Sequence, residues 1–380
     1  MLKRNGWTRS RIALREWMPV IVLMCCTFVF NTSEFIPIGL LSDIAADFGI
    51  TEARAGLLIT VYAWVVALVS LPLMLAVARM ECRRLMLGVL GLFIASHVLS
   101  GLSSSYAMLM ASRIGVACAH AVFWSIVSPL AVRVAPKGAQ SAALGLIITG
   151  TSIAMIVGLP LGRVIGLYVG WRTTFFIAAV AAAVWLFLAA IFPRVPSRDT
   201  ISLRKVPSLL GNPALVGLYV LTVLMVTGHY TGYSYIEPFL AQVAGLDNDW
   251  ITWVLTAFGL VGIVGSLWFS RDYEKRPYAF MRFAVVGIAF FLLLLRLSAF
   301  GHFPVVALCI CWGLAITIFN LVFQSEIIRL APEATAIAMS VYSGIYNVGI
   351  GAGALVGGFV CTHASIARIG YAGGAIALLA

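Results

Sequence analysis

The chain has 380 residues, 62% hydrophobic and 10% charged, with a formal net charge of +11. A soluble domain is nearer half apolar and a quarter charged, so one water-soluble core is excluded and a polytopic membrane protein is indicated. The basic residues are spread over alternate loops rather than gathered on one face, which excludes nucleic acid as the partner.

Apolar runs predict helical spans over 18–41, 54–78, 85–103, 107–133, 140–167, 172–193, 214–240, 250–270, 279–299, 303–330, 335–361 and 366–380. Lys3, Arg4, Arg9, Arg11 and Arg15 precede the first run. That run is too long for a signal peptide and is followed by further spans, so it is read as a retained helix. It contains Glu34. A carboxylate in hydrocarbon costs about 2.5–3.5 kcal/mol on insertion scales, and a chain that keeps one there generally uses it. Asn31 lies one turn earlier on the same helix face. Glu34 is expected to be a proton-carrying group facing a cavity. The alternative is a hydrated position near the outer surface, with Leu41 about 10 Å further along.

The second span offers Tyr62 and Trp64 as lesser cavity candidates, and the loop after it carries Arg79, Glu81, Arg83 and Arg84. The fourth span aligns Arg113, Ala117, His120, Trp124 and Ser128 on one face. A buried arginine must pair or face a solvated cavity. Arg113 can attract Glu34, donate to a substrate, or serve a purely structural ion pair. His120 is either a cavity group or a packed core histidine. The fifth span reads Gly150-Thr-Ser-Ile-Ala-Met-Ile-Val-Gly158-Leu-Pro160-Leu-Gly162-Arg163. Small residues at that spacing let helices approach closely, and Pro160 removes a backbone bond and is expected to bend the span. Arg163 needs a partner.

Residues 194–213 form the longest polar stretch and divide the chain into a first half, 1–193, and a second, 214–380. In the seventh span His229, Tyr233 and Glu237 recur every fourth residue, with Tyr230, Ser234 and Tyr235 beside them. Aromatic rings mixed with hydrogen-bonding groups suit a sugar, and equally suit an interfacial aromatic belt. Asn320 in the tenth span and Asn347 in the eleventh are further cavity candidates. The twelfth run is short for a crossing.

Arg79, Arg83, Arg84, Arg133, Lys137, Arg194, Arg271, Lys275 and Arg329 all follow even-numbered spans. The bias places the N-terminus and these loops in the cytoplasm. Arg133-Val-Ala-Pro136 is matched by Arg329-Leu-Ala-Pro332, and Ser33-Glu-Phe-Ile-Pro37 is echoed by Ser234-Tyr-Ile-Glu-Pro238. These pairs argue for an internal duplication with a site between the repeats. No hydrolase, zinc or phosphate-loop spacing is present, so neither an enzyme, a metal nor a cofactor is expected, and transport would be gradient-driven. The 7 cysteines contain no CxxC pair and read as packing residues.

These residues resemble the twelve-helix drug/proton antiporter branch of the major facilitator superfamily. Gly150, Gly158, Pro160, Gly162 and Arg163 look like its antiporter motif, and Arg113 stands at its span-four arginine. The loop after span two keeps Arg83 and Arg84, with Glu81 in place of the usual aspartate. Asn31–Ala45, Tyr62–Ala67, His229–Pro238 and Gly349–Gly357 are similar to the bacterial sugar efflux transporters. The resemblance implies an all-α membrane protein of two six-helix bundles with pseudo-twofold symmetry, and the short last run is expected to leave its twelfth helix incomplete. It implies a proton-driven exporter of arabinose-like or thiogalactoside-like sugars in a bacterial inner membrane, with the lipid bilayer, the sugar and protons as its partners and no obligate protein partner. The rival readings are a broad multidrug/proton antiporter, a membrane sensor that transports nothing, and an inactive truncated family member.

Overall fold

A computed structural model of the chain describes residues 4–77, 79–137, 139–196, 211–332 and 335–380. Lys3, Ala78 and most of the central polar stretch, including Arg198, Arg204 and Lys205, lie outside the described residues. The described residues form helices and no strand. In chain order these are α1 (Arg4–Gly39), α2 (Leu41–Asp47), α3 (Glu52–Val77), α4 (Cys82–Gly101), α5 (Tyr106–Val134), α6 (Gln140–Ile153), α7 (Leu159–Val169), α8 (Trp171–Thr174) and α9 (Ile177–Ile191). They continue with α10 (Pro213–Tyr233), α11 (Ile236–Gln242), α12 (Asn248–Asp272), α13 (Pro277–Ser298), α14 (His302–Leu330), α15 (Thr335–His363) and α16 (Ile369–Leu378).

Among the described residues, 10 helical stretches are long and apolar enough to cross a bilayer. The sixth and twelfth expected spans are held by shorter apolar helices, Val180–Ile191 and Ile366–Leu378. The sixth is interrupted because Phe175 and Phe176 bond three residues back, to Arg172 and Thr173, in place of an α-helical ladder. The run Thr173-Thr-Phe-Phe176 has low helix propensity, which permits the tighter turn. Side-chain caps mark several starts: Ser105 accepts from Met108 N–H, Asn212 from Ala214 and Leu215 ahead of Pro213, and Asp247 from Trp250.

Prolines set the breaks inside the spans. A π-helical turn, Ala154–Gly158, joins α6 to α7 just before Pro160. Pro160 has no N–H for the Ile156 carbonyl, so the ladder widens there. Pro238 likewise has no N–H for the Ser234 carbonyl, and there α10 gives way to α11 through a tighter turn in which Tyr235 N–H bonds Gly232 O.

The chain packs as two compact units. One is drawn from Met1–Glu34, Val69–Gly158 and Arg172–Asp199, the other from Phe35–Leu68, Leu159–Trp171 and Thr200–Ala380. The boundary falls within helices, after Glu34 in α1 and after Leu68 in α3. In the first unit Phe30 stacks on Phe123 at 4.1 Å and meets Phe93 at 4.3 Å. In the second, α10 runs along α15 and α16, and α14 packs on α12 and α13.

The glycine-spaced helices are the tightest seams. Side chains added at Gly150, Gly158, Gly162 and Gly166 would strike Met24, Thr32, Ile36 and Leu40 respectively. Each pair has the same offset in sequence, so the fifth span lies parallel to α1 and in constant register with it. The second half repeats the device. Gly349, Gly353 and Gly357 of α15 abut Val226, Tyr230 and Tyr235 on the seventh span. Away from these seams, Leu68, Ile148, Leu186, Trp253 and Val286 are exposed. A helix apolar on its outward side is stable against hydrocarbon, where it would be a liability in water. The 7 cysteines are free thiols.

Candidate functional site

Pro37 determines the first candidate cluster. It cannot donate to the carbonyl of Ser33, one turn earlier. Arg113 Nη1 from α5 donates to that carbonyl at 3.2 Å. An unmet carbonyl in a lipid-embedded helix costs several kcal/mol, so the proline creates a place for the arginine. Glu34 is the next residue. Its Oε2 lies 3.5 Å from His120 Nε2, and the two side chains are 14% and 4% exposed. This is an ion pair whenever the imidazole carries a proton. The Arg113 charge acts on Glu34, His120 and His97 alike. Trp124 packs on His120 at 5.8 Å between ring centres. The structure therefore brings Glu34, Arg113, His120 and Trp124 together within one unit. Asn31 points elsewhere: its amide donates to Thr27 O at 3.1 Å and to Thr151 Oγ1 of α6 at 3.2 Å.

The second cluster lies in the other unit and joins residues from both sequence halves. Arg163 of α7 donates to the carbonyl of Gly39, where α1 ends. Its Nη1 is 3.4 Å from Glu237 Oε1 and its Nη2 donates to Asn248 Oδ1 at 3.1 Å. Glu237 Oε2 in turn accepts from the Ser42 backbone N–H at 3.2 Å. The Arg163 and Glu237 side chains are 0% and 4% exposed. Asp43 stands near this cluster. Burial raises its carboxyl above the ordinary value, against the opposing pull of Arg163.

A third group is aromatic. His229 stacks on Tyr233 at 5.1 Å and meets the Trp312 edge at 5.2 Å, while Tyr233 stacks on Phe258 at 4.9 Å. Tyr230 and Tyr342 flank Tyr346 at 6.5 Å and 5.8 Å. His229 Nδ1, Trp312 Nε1, Tyr342 Oη and Asn347 Oδ1 are buried polar atoms without a hydrogen bond. The Asn347 amide donates to Ser343 O at 3.0 Å. Asn320 is half-buried on α14. Tyr235 has a packing role: its hydroxyl donates to Ala354 O at 2.9 Å and its ring fills the space left by Gly56, Gly357 and Gly358. Trp64 donates to Val348 O at 3.3 Å over Gly351, and Tyr62 is buried on α3.

The loop after the second span is a clasp within the first unit. Glu81 caps α4, accepting from Arg83 N–H at 2.9 Å, Arg84 N–H at 3.3 Å and Val195 N–H at 3.0 Å. Burial pushes its carboxyl up, but these donors and the Arg84 charge together outweigh it and hold it below the ordinary value. Arg83 donates to Ala189 O, and Arg133 Nη2 donates to Pro196 O at 2.6 Å.

Sequence reasoning missed Gly39, Ser42, Asn248, Phe258, Trp312 and Tyr342. Two of these act through backbone atoms, which carry no side-chain signal. Asn248 follows the capping Asp247 and reads as turn chemistry. The aromatics were hidden in uniformly apolar runs.

The model of the Major Facilitator Superfamily matches residues 23–354. Among solved structures, the chain is similar to a bacterial homologue of the human lysosomal transporter Spinster, in an inward-facing, unoccupied conformation. That match has 14% identity and a TM-score of 0.70, covering 96% of this chain and 95% of the other. It is also similar to the peptide transporter POT in complex with sulfate, at 15% identity and a TM-score of 0.76, covering 95% and 93% of the two chains. A third is the human organic anion transporter TETRAN, at 15% identity and a TM-score of 0.69, covering 96% and 98%. Likeness at such identity is one of fold.

Proposed function

The chain belongs to the Major Facilitator Superfamily, and from that premise we propose that it exports sugars or sugar analogues in exchange for protons by alternating access. The protein is a multi-pass membrane transporter, not an enzyme. The observation that carries proton coupling is the Glu34 carboxylate, 3.5 Å from His120 and acted on by Arg113. A carboxylate facing an imidazole and within the field of a guanidinium has the chemistry to take up and give back a proton. Protonation from outside would remove its attraction to the Arg113 and His120 side, and loss of the proton toward the cytoplasm would restore it. Coupling follows if substrate binds the two charge states differently.

The sugar assignment rests on resemblance and is supported by the His229–Tyr233–Trp312 group, whose rings suit sugar faces and whose unmet polar atoms suit hydroxyls. The same rings suit a lipophilic cation, which is the ground for the multidrug reading. Under this proposal the two six-helix halves are 1–193 and 214–380, and the basic loops and N-terminus face the cytoplasm of a bacterial inner membrane.

The test is proton-gradient-driven flux in inverted membrane vesicles over a panel of arabinose-like sugars, thiogalactosides and a lipophilic cation. Sugar uptake that collapses with the gradient, and is uncoupled in Glu34→Gln, is the expected result. Uptake of the cation alone establishes the multidrug reading. Unchanged coupling in Glu34→Gln overturns the role of Glu34.

A further inference from the structure

His97 is a fully buried titratable side chain on α4 that the proton step above does not use. Its ring stacks on Phe93 at 4.1 Å, with Phe175 at 6.0 Å. Its Nδ1 is 3.0 Å from the Phe93 carbonyl. A carbonyl oxygen only accepts, so Nδ1 is the nitrogen that donates, and in the neutral ring the lone pair falls on Nε2. That Nε2 is buried and makes no hydrogen bond among the described residues. An unmet acceptor in a membrane core is costly, and the Phe93 bond and the aromatic packing fix it there. The seam between α4 and α5 shows what lies beside it. Ser100 Oγ and Ser112 Oγ are bonded at 2.7 Å, and a side chain added at Gly115 would strike Ser96. The contacts advance along α4 as they retreat along α5, which is the register of antiparallel neighbours. His97 falls between the two contacts on α4 and Arg113 falls between them on α5, so both stand at one level of the seam. Arg113 is buried, and its charge acts on His97.

We propose that His97 Nε2 is a second acceptor for Arg113, engaged when Glu34 carries the proton, and that His97 is therefore a positioning residue of the proton step. While Glu34 is ionised, Arg113 is held toward α1 by the Ser33 carbonyl at 3.2 Å and by the field of the carboxylate. Protonation of Glu34 removes the anion and leaves a buried cation whose donors must still be met. The neutral imidazole offers a lone pair and no charge. It takes a guanidinium N–H at that moment and yields it when the carboxylate returns, because a charged acceptor outcompetes a neutral one. No proton passes to His97. Its Nδ1–H stays on the Phe93 carbonyl, and the bond formed at Nε2 is a hydrogen bond. The charged and titratable groups around the exchange are Glu34 from α1 and Arg113 and His120 from α5. The two histidines divide the work: His120 faces the carboxylate at 3.5 Å, and His97 serves the arginine.

The inference rests on the proton role proposed for Glu34, and its first test needs neither flux nor substrate. It is nitrogen NMR of the full-length protein, labelled at histidine, in lipid nanodiscs, with the His97 signals assigned by their loss in His97→Gln. In Glu34→Gln, a stand-in for the protonated acid, the His97 Nε2 resonance is expected to move upfield, as a lone pair does on accepting a hydrogen bond, with Nδ1 in place. An unmoved Nε2 overturns the proposal. So does a shift of both nitrogens, which marks a repacked ring or a changed tautomer. Vesicle flux then separates positioning from packing. His97→Leu removes both nitrogens and is expected to lower gradient-driven flux about tenfold, with half-saturation by substrate unchanged. His97→Gln, whose amide sets a polar atom near the Nε2 position, is expected to stay within about threefold of the native protein. Equal losses in the two variants make His97 a packing residue and overturn the proposal, as does native flux in His97→Leu. A raised half-saturation constant identifies a substrate ligand and overturns it too. If His97→Leu does not fold, the Nε2 resonance and His97→Gln decide. An Nε2 that moves while Glu34→Gln keeps native coupling sinks the proton reading and leaves the second acceptor standing. Lost coupling with an unmoved Nε2 does the reverse, so the two readings fail separately.

Discussion

Arg113 and Arg163 both donate to a carbonyl of α1, at Ser33 and at Gly39, and both lie beside a carboxylate. The first carbonyl is exposed by a proline in the helix, the second by the helix ending. There the likeness stops. Arg113 donates to the Ser33 carbonyl and its charge acts on Glu34, which also faces His120 with a side chain 14% exposed. Arg163 sits directly against a carboxylate 4% exposed. A carboxylate facing a titratable partner at the edge of water can change charge. One set against a buried arginine, with Ser42 N–H on its other oxygen, is fixed in place from both sides. Under the proposed function, similar short motifs serve two tasks, one carrying a proton and one holding helices together.

The sharpest way to break this comparison is to remove each carboxylate. Glu237→Ala leaves Arg163 buried without its closest anion and is expected to destabilise the protein by about 3–5 kcal/mol. Glu34→Ala is expected to cost under about 1.5 kcal/mol, because water and His120 compensate. Thermal unfolding in one detergent, monitored for both variants, checks the contrast, and equal losses would erase it. For function the order reverses. Glu34→Gln is expected to lower gradient-driven flux about a hundredfold, or about 2.7 kcal/mol, while counterflow without a gradient persists. Vesicle flux in the two modes measures this.

The glycine seam offers an intermediate effect. Gly158→Leu drives a side chain into Thr32 and is expected to cost about 1–3 kcal/mol, whereas Gly145→Leu, with open space around it, is expected to be neutral. Melting curves of the pair test whether the constant register between α1 and the fifth span is a real constraint. The smallest expected effect lies at the clasp. Glu81→Ala removes the cap of α4 and is expected to cost about 1 kcal/mol. The Glu81 carboxyl is held below its ordinary value, so its contribution is full above the ordinary carboxylate range and is lost as pH falls from there through the lower folded value. The gap between native and variant stability should therefore hold from pH 8 to 6 and narrow progressively as pH falls below about 4, as denaturation midpoints at each pH would show.

Much of the architecture was legible because a bilayer imposes simple rules. Long apolar runs must be helices, charge bias must sort the loops, and small residues at intervals must mark close contacts. Gly150, Gly158, Gly162 and Gly166 were readable as a seam from spacing alone, and Glu34 stood out as an expensive residue. The sixth span read as one helix and is divided at Phe175, because hydrophobicity reports burial and not the local ladder. The partners of the charged residues were less accessible. Asn31 was expected on the Glu34 face and bonds Thr151 instead. Glu237 was expected to line a cavity and is found paired with Arg163.

The sequence by itself determined an all-helical membrane protein, its run of spans, its seams and the identity of its costly charges, since each follows from local composition and periodicity. Only the tertiary structure decided which arginine meets which carboxylate. That choice depends on where Pro37 and Gly39 leave carbonyls unmet and on how closely glycine lets the fifth span approach α1, and both are settled by contacts between residues more than 70 positions apart.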